Sequence, residues 1–140
     1  QHFASHGFSV EQTVKAKKLL STVNDNSHRV GLTFRVSPWD DHLTTLSEID
    51  RQVKDHKLIN LQMPRLNEGK CFDDEKKLVK FIIDVYKTSR TMQNSTVFLD
   101  TFVDNDRDYY PRIGLLDRRL NPRKAFHALK RLSQQLSQQI

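Results

Sequence analysis

Cysteine is almost absent from this chain: Cys71 is alone among 140 residues. That excludes an internal disulfide and a C-x-x-C metal knuckle, and a lone thiol reads as an ordinary packed residue before it reads as a nucleophile. It fits a reducing compartment slightly better, though one residue settles little. No stretch approaches the roughly 18 consecutive apolar residues of a membrane helix, so a spanning segment is not expected. Glycine-rich phosphate loops of the G-x-x-x-x-G-K or G-x-G-x-x-G kind are missing, as is a Ser-His-Asp signature, so no nucleotide cofactor or triad chemistry is indicated. Metal motifs are weak. His2 and His6 have the right spacing but sit in a terminus read as loose. Asp104, Asp106 and Asp108 alternate as in a calcium loop, without the glycine and the distal glutamate such a loop needs. No cofactor and no metal are expected.

What is present is an ordinary, rather polar composition: 36% hydrophobic and 29% charged, with 23 Lys+Arg against 17 Asp+Glu and a formal charge of +6. A basic balance admits an anionic partner such as nucleic acid or an acidic glycan. The cations form no long run, however, which reads as a solvated surface of mixed sign. The length suits one domain with a modest core. Gln1 in place of Met and the lack of a leader pattern fit a processed product or a piece of something longer. Asn94-Ser95-Thr96 is an N-glycosylation sequon. It leans weakly towards a secreted or lysosomal glycoprotein; the compartment is otherwise unknown.

The pattern along the chain alternates. Ser9 to Gln12 forms a capping box and opens a helix to about Val23, and Asn24 to Ser27 breaks it. In "HRVGLTFRV", residues 28–36, apolar side chains recur at every second position, the period of a strand. Thr45 to Glu48 reads as a second capping box with Leu46, Ile49 and Val53 on one helix face. "LINLQMP", residues 58–64, reads as a buried strand. Asp73 or Asp74 is expected to cap a long helix with a stripe of Leu78, Phe81, Ile82, Val85 and Met92. "TVFLDTFVD", residues 96–104, is the third strand. Asn121-Pro122 reads as an N-cap and first helical residue, opening a helix with Ala125, Leu129, Leu132, Leu136 and Ile140 along one side. The expected fold class is therefore α/β, with parallel strands alternating with helices in a single unit over residues 1–140.

The segment "TVFLDTFVDNDRDYYPRIGLLDRRLNPRKAFHALKRL" resembles the last strand, last loop and last helix of (β/α)8-barrel glycoside hydrolases, the β-glucuronidase and β-galactosidase clan among them. The likeness is carried by Gly114-Leu115-Leu116-Asp117 followed by Asn121-Pro122-Arg123-Lys124-Ala125, and it covers about 40 residues. It implies the C-terminal part of a TIM barrel, about three βα units of it, with residues 28–36 as strand six and 58–64 as strand seven. A whole barrel needs around 250 residues. The missing N-terminal half, or another chain, would have to supply the remaining strands. The basic residues Arg118, Arg119, Arg123 and Lys124 then flank a barrel-closing helix. They lie at the end of the helix where the macrodipole does not favour cations, which argues against a nucleic-acid-binding helix.

The resemblance implies hydrolysis of a carbohydrate substrate by paired carboxyl groups roughly 5 Å apart. The clan's acid/base lies on strand four, outside this chain. Its nucleophile is a glutamate at the end of strand seven, where this sequence reads "LQMPRLNEG"; Glu68 is the candidate match. Asp100 is the other catalytic candidate, a carboxylate inside an apolar run that needs a partner, Arg35 being one. Arg35, Trp39, Asp40, His42, Gln62, Arg65, Asp104 and Tyr109 gather after strand ends, where α/β sites form, and are candidates for substrate binding. The competing reading is a non-catalytic α/β module that binds a glycan or assembles with a protein partner.

Overall fold

The computed structural model describes residues 2–4, 9–23, 31–64, 75–105 and 112–137. Four strands and four helices alternate: β1 (His2–Ala4), α1 (Val10–Val23), β2 (Gly31–Val36), α2 (His42–Gln52), β3 (Lys57–Leu61), α3 (Glu75–Thr91), β4 (Ser95–Leu99) and α4 (Lys124–Ser137). β1 falls in the stretch read from sequence as a loose terminus. Three residues are too few to display a period of two.

One of the expected helix starts holds and two shift. Ser9 and Gln12 do form the capping box: Ser9 N–H donates to Gln12 Oε1 at 2.9 Å and Gln12 N–H donates to Ser9 Oγ at 3.2 Å. The second helix, in contrast, opens three residues ahead of Thr45. Its N-cap is Asp41, whose carboxylate accepts from Thr44 N–H and, at 2.7 Å, from Thr44 Oγ. Those two bonds hold the Asp41 carboxyl below its ordinary pKa. The last helix begins at Lys124, past the Asn121-Pro122 pair. Pro122 instead bridges Leu116, and Asn121 Nδ2 donates to Asp117 Oδ2 at 2.9 Å. The first α4 amide is capped from a neighbouring helix, Lys124 N–H donating to Glu75 Oε1 at 3.2 Å. The expected cap at Asp73 or Asp74 lies outside the described residues.

The sheet order is β1-β2-β3-β4, parallel throughout. Each strand thus neighbours the next one in the chain. The helices follow the same order, α1 on α2, α2 on α3 and α3 on α4. A parallel crossover is right-handed, so a sheet wound in one direction carries all its helices on one face. The strand side chains agree. Leu32, Phe34, Val36, Ile59 and Leu61 share one buried cluster with Leu46 and Ile49 of α2, Phe81, Ile82 and Val85 of α3 and Ala125 of α4. The alternate residues point the other way. Register places Thr33 beside Leu58 and Leu58 beside Thr96, then Arg35 beside Asn60 and Asn60 beside Phe98. Arg35, Thr96 and Phe98 are exposed and Leu58 and Asn60 half-buried, so this second face is open.

A fully buried lysine fixes the lower end of the sheet. Lys57 Nζ donates to Val53 O and Gln93 O, each at 2.8 Å, and meets Asp50 Oδ1 at 3.1 Å. Its charge sits where α2 and α3 end, beside carbonyls that helical bonding leaves unused. At the upper end, residues 112–117 fold back over the chain that leaves β4: Ile113 N–H donates to Pro64 O, Leu116 N–H to Phe102 O and Asp104 N–H to Leu116 O. Gly114 is required there, because a Cβ would lie 2.6 Å from the carbonyl carbons of Phe102 and Val103.

Candidate functional site

The sequence-derived candidates fall into three groups. The first lies on the open sheet face. Arg35 leaves β2 on that side, in register with Asn60 of β3, which is in register with Phe98 of β4. The row runs across three neighbouring strands. It offers guanidinium donors, a side-chain amide and an aromatic face 39% exposed. Asn60 Oδ1 is buried and has no hydrogen-bond partner, an acceptor that normally finds one. Gln62 continues the parity of Leu58 and Asn60 past the end of β3. It is half-buried, and its N–H donates to Val36 O at 2.9 Å. This face can contact a polyol: Phe98 supplies an apolar platform, and Arg35 and Asn60 supply polar contacts at fixed strand spacing.

The second group consists of carboxylates with structural partners. Asp100 follows β4. Its Oδ1 accepts the Met63 N–H at 2.9 Å, and its Oδ2 lies 3.0 Å from Arg112 Nη1. Arg112 Nη1 in turn donates to Met63 O at 2.8 Å. The triangle ties the end of β3, the end of β4 and the returning loop together. The partner of Asp100 is thus Arg112, not Arg35. Asp104 is tied in the same manner. Its side chain is 6% exposed, its Oδ1 accepts Gly114 N–H at 2.8 Å, and its Oδ2 meets Arg123 Nη2 at 2.6 Å. Asp117 accepts from Arg119 N–H and Asn121 N–H, both at 2.8 Å. The Asn121 side chain and amide are the main causes that hold its carboxyl below the usual range. The conspicuous Gly-Leu-Leu-Asp and Asn-Pro-Arg-Lys motif is therefore a latch that seats α4.

The third group surrounds the loop after β2. Ser37 Oγ donates to Asp40 Oδ2 at 2.9 Å. Trp39 is 40% exposed, with Lys77 Nζ 5.3 Å above its ring. His42 is turned away from the open face. Its ring meets Phe81 edge-on at 5.1 Å between centroids, and its Nε2 lies 3.3 Å from Asp84 Oδ2. Burial pushes the Asp84 carboxyl up. Hydrogen bonds from Lys80 and His42 outweigh it, and the pKa ends below the ordinary value. His42 thus joins α2 to α3. Arg65, Glu68 and Tyr109 lie outside the described residues, as does most of the Asp104, Asp106, Asp108 alternation. Among the described residues no group of three or more His, Cys, Asp or Glu side chains is placed to hold a metal ion. No helix among them is long and apolar enough to cross a membrane.

Asn60, Phe98 and Arg112 were missed in the sequence. Asn60 and Phe98 look like interior members of apolar runs until the period of two is applied to the second face. Arg112 lies in a loop with no periodicity at all. Comparison with protein-family models, with characterised proteins and with solved structures gives no match for this chain.

Proposed function

We propose that the chain is the C-terminal part of a glycoside hydrolase-like (β/α)8 enzyme, four βα units that act on a carbohydrate when further strands complete the barrel. The carrying observation is the winding. Sequential parallel strands with every helix on one side are the repeat unit of such a barrel, and the second face, which a barrel would enclose, is open here. The outer end of the helix layer supports the same reading. α1 leaves Leu19 63% and Val23 85% exposed, where a preceding helix would pack. In this arrangement Arg35, Asn60, Gln62 and Phe98 line the interior towards the substrate. Glu68 is the proposed nucleophile, and the acid/base comes from the completing strands.

The Asp100 triangle favours a second reading. A carboxylate already bonded to Met63 N–H and Arg112 is poorly placed to attack a sugar, and the strand-seven end presents Gln62 where hydrolases present a carboxylate. A non-catalytic α/β module that binds a glycan or a protein partner fits those two facts. The native mass of the particle, with identification of every polypeptide in it, separates the readings. Further βα units joined to this chain or bound to it, with hydrolysis of aryl glycosides lost on Glu68→Gln, support the enzyme. A cooperatively folded monomer of this chain alone without hydrolytic activity excludes it and leaves the module.

A further inference from the structure

On the side of the helix layer away from the sheet, α3 and α4 enclose a groove of about 730 Å³. Its floor is apolar, made of Val79 and Ile83 of α3 and Ala128 of α4. Its rim is cationic. Lys76 and Lys80 stand along α3, and Lys124 and Arg131 along α4. Two of these charges are already answered, Lys80 by Asp84 and Lys124 by Glu75 at 3.1 Å. Lys76 and Arg131 are exposed and have no ion pair or hydrogen bond among the described residues. The groove follows α3 from Lys76 to Asp84, a span of roughly 12 Å or two helical turns.

We infer that this groove docks a short acidic amphipathic helix of a partner protein. Two packed helices present a channel into which a third fits by ridges and grooves. Apolar residues at i, i+3 and i+4 of the guest would cover Val79, Ile83 and Ala128. Carboxylates on its flanks would meet Lys76 and Arg131, which have no ionic partner among the described residues. A nucleic-acid backbone fits less well. It has no use for the apolar floor of Val79, Ile83 and Ala128. The site lies on the opposite side of the helices from the open sheet face, so it is independent of the barrel reading.

The test uses a fluorescent peptide of about 18 residues, long enough to be helical, with Leu at i, i+3, i+4 and i+7 of its central turns, Glu at the flanking positions and Ala elsewhere, titrated with the protein and followed by anisotropy. The same peptide with Lys for Glu, a scrambled Leu/Glu peptide and a single-stranded oligonucleotide are the controls. Saturable binding of the patterned Glu peptide is expected, weakened about tenfold or more by K76E/R131E and little changed by R51E/R90E. I83Q should weaken it without altering salt dependence, which separates the floor from the rim. Equal binding of the scrambled peptide, tighter binding of the oligonucleotide, insensitivity to K76E/R131E, or a change in the protein's own oligomeric state with that variant would each overturn the proposal.

Discussion

Asp100 separates a catalytic carboxylate from a structural one, and its surroundings set the size of the effect. Met63 is fully buried, and its N–H has the Asp100 carboxylate as acceptor. Asp100→Ala leaves that donor without a partner, which costs about 1–3 kcal/mol. It also removes the ion pair with Arg112, whose side chain is 21% exposed against 19% for Asp100. A pair that sheltered yields about 1 kcal/mol after solvent screening. The expected loss is therefore about 2–4 kcal/mol. Asp100→Asn keeps an oxygen for the Met63 amide and loses only the charge, so it should cost about 1 kcal/mol. Urea unfolding followed by far-UV circular dichroism measures both, with the m-value checking that the unfolded state is unchanged. An alanine variant within about 0.5 kcal/mol of the parent would refute the triangle as a structural device. Equal losses for alanine and asparagine would show that the charge, and not the Met63 amide, carries the effect.

Lys57→Met should destabilise by about 1–3 kcal/mol, because the buried Val53 carbonyl loses its donor while the Gln93 carbonyl is only partly buried; a neutral result by the same assay would mean that water reaches Val53 O as well. Gly114→Ala should displace the 112–117 return loop and lower the thermal midpoint by several degrees, since the clash is with backbone of Phe102 and Val103; an unchanged midpoint would refute the close approach. Glu75, Asp84, Asp41 and Asp117 all have carboxyl groups held below their ordinary values in the folded chain. For Glu75, burial opposes the shift and the bonds from Lys124 exceed it. The unfolded chain therefore binds protons first. The stabilisation is complete above the ordinary carboxylate range, near pH 4, and is lost as the pH falls through the lowered folded values. Midpoints should be flat above about pH 5, fall on acidification, and fall less steeply in Glu75→Gln; a rise on acidification through that range would contradict the assignment.

Strong periodicity made the α/β alternation legible. Leu78, Phe81, Ile82 and Val85 do form the buried side of α3, and Val10 to Val23 is a helix behind its capping box. What escaped was the choice between competing local caps and bridges, together with bonds to partners distant in sequence. Asp41 outcompetes Thr45 as the α2 cap because its carboxylate reaches two groups of Thr44. Pro122 leaves the helix because Leu116 takes it into a bridge. β4 ends at Leu99, since residues 100–104 are drawn to the return loop by the Asp100–Arg112 pair and by Asp104, which accepts from Gly114 N–H. For the candidate site, Gln62 does follow its strand, because β3 stops at Leu61 and not at residue 64, whereas Arg35, expected after the strand end, stands inside β2. The sequence could not show that Asp100, Asp104 and His42 were each already bonded to partners far along the chain.

The sequential strand order has a kinetic consequence. Every strand pairs with the next one made, so pairing partners are separated by about 25–40 residues and by no more. Loop closure is correspondingly cheap, since its entropy cost grows only slowly over such lengths. Each βα unit can therefore dock on its predecessor as synthesis proceeds, without waiting for a distant segment. The buried Lys57 bonds reach back to α2 and forward to Gln93, so the third unit becomes fully secured only when α3 has been added.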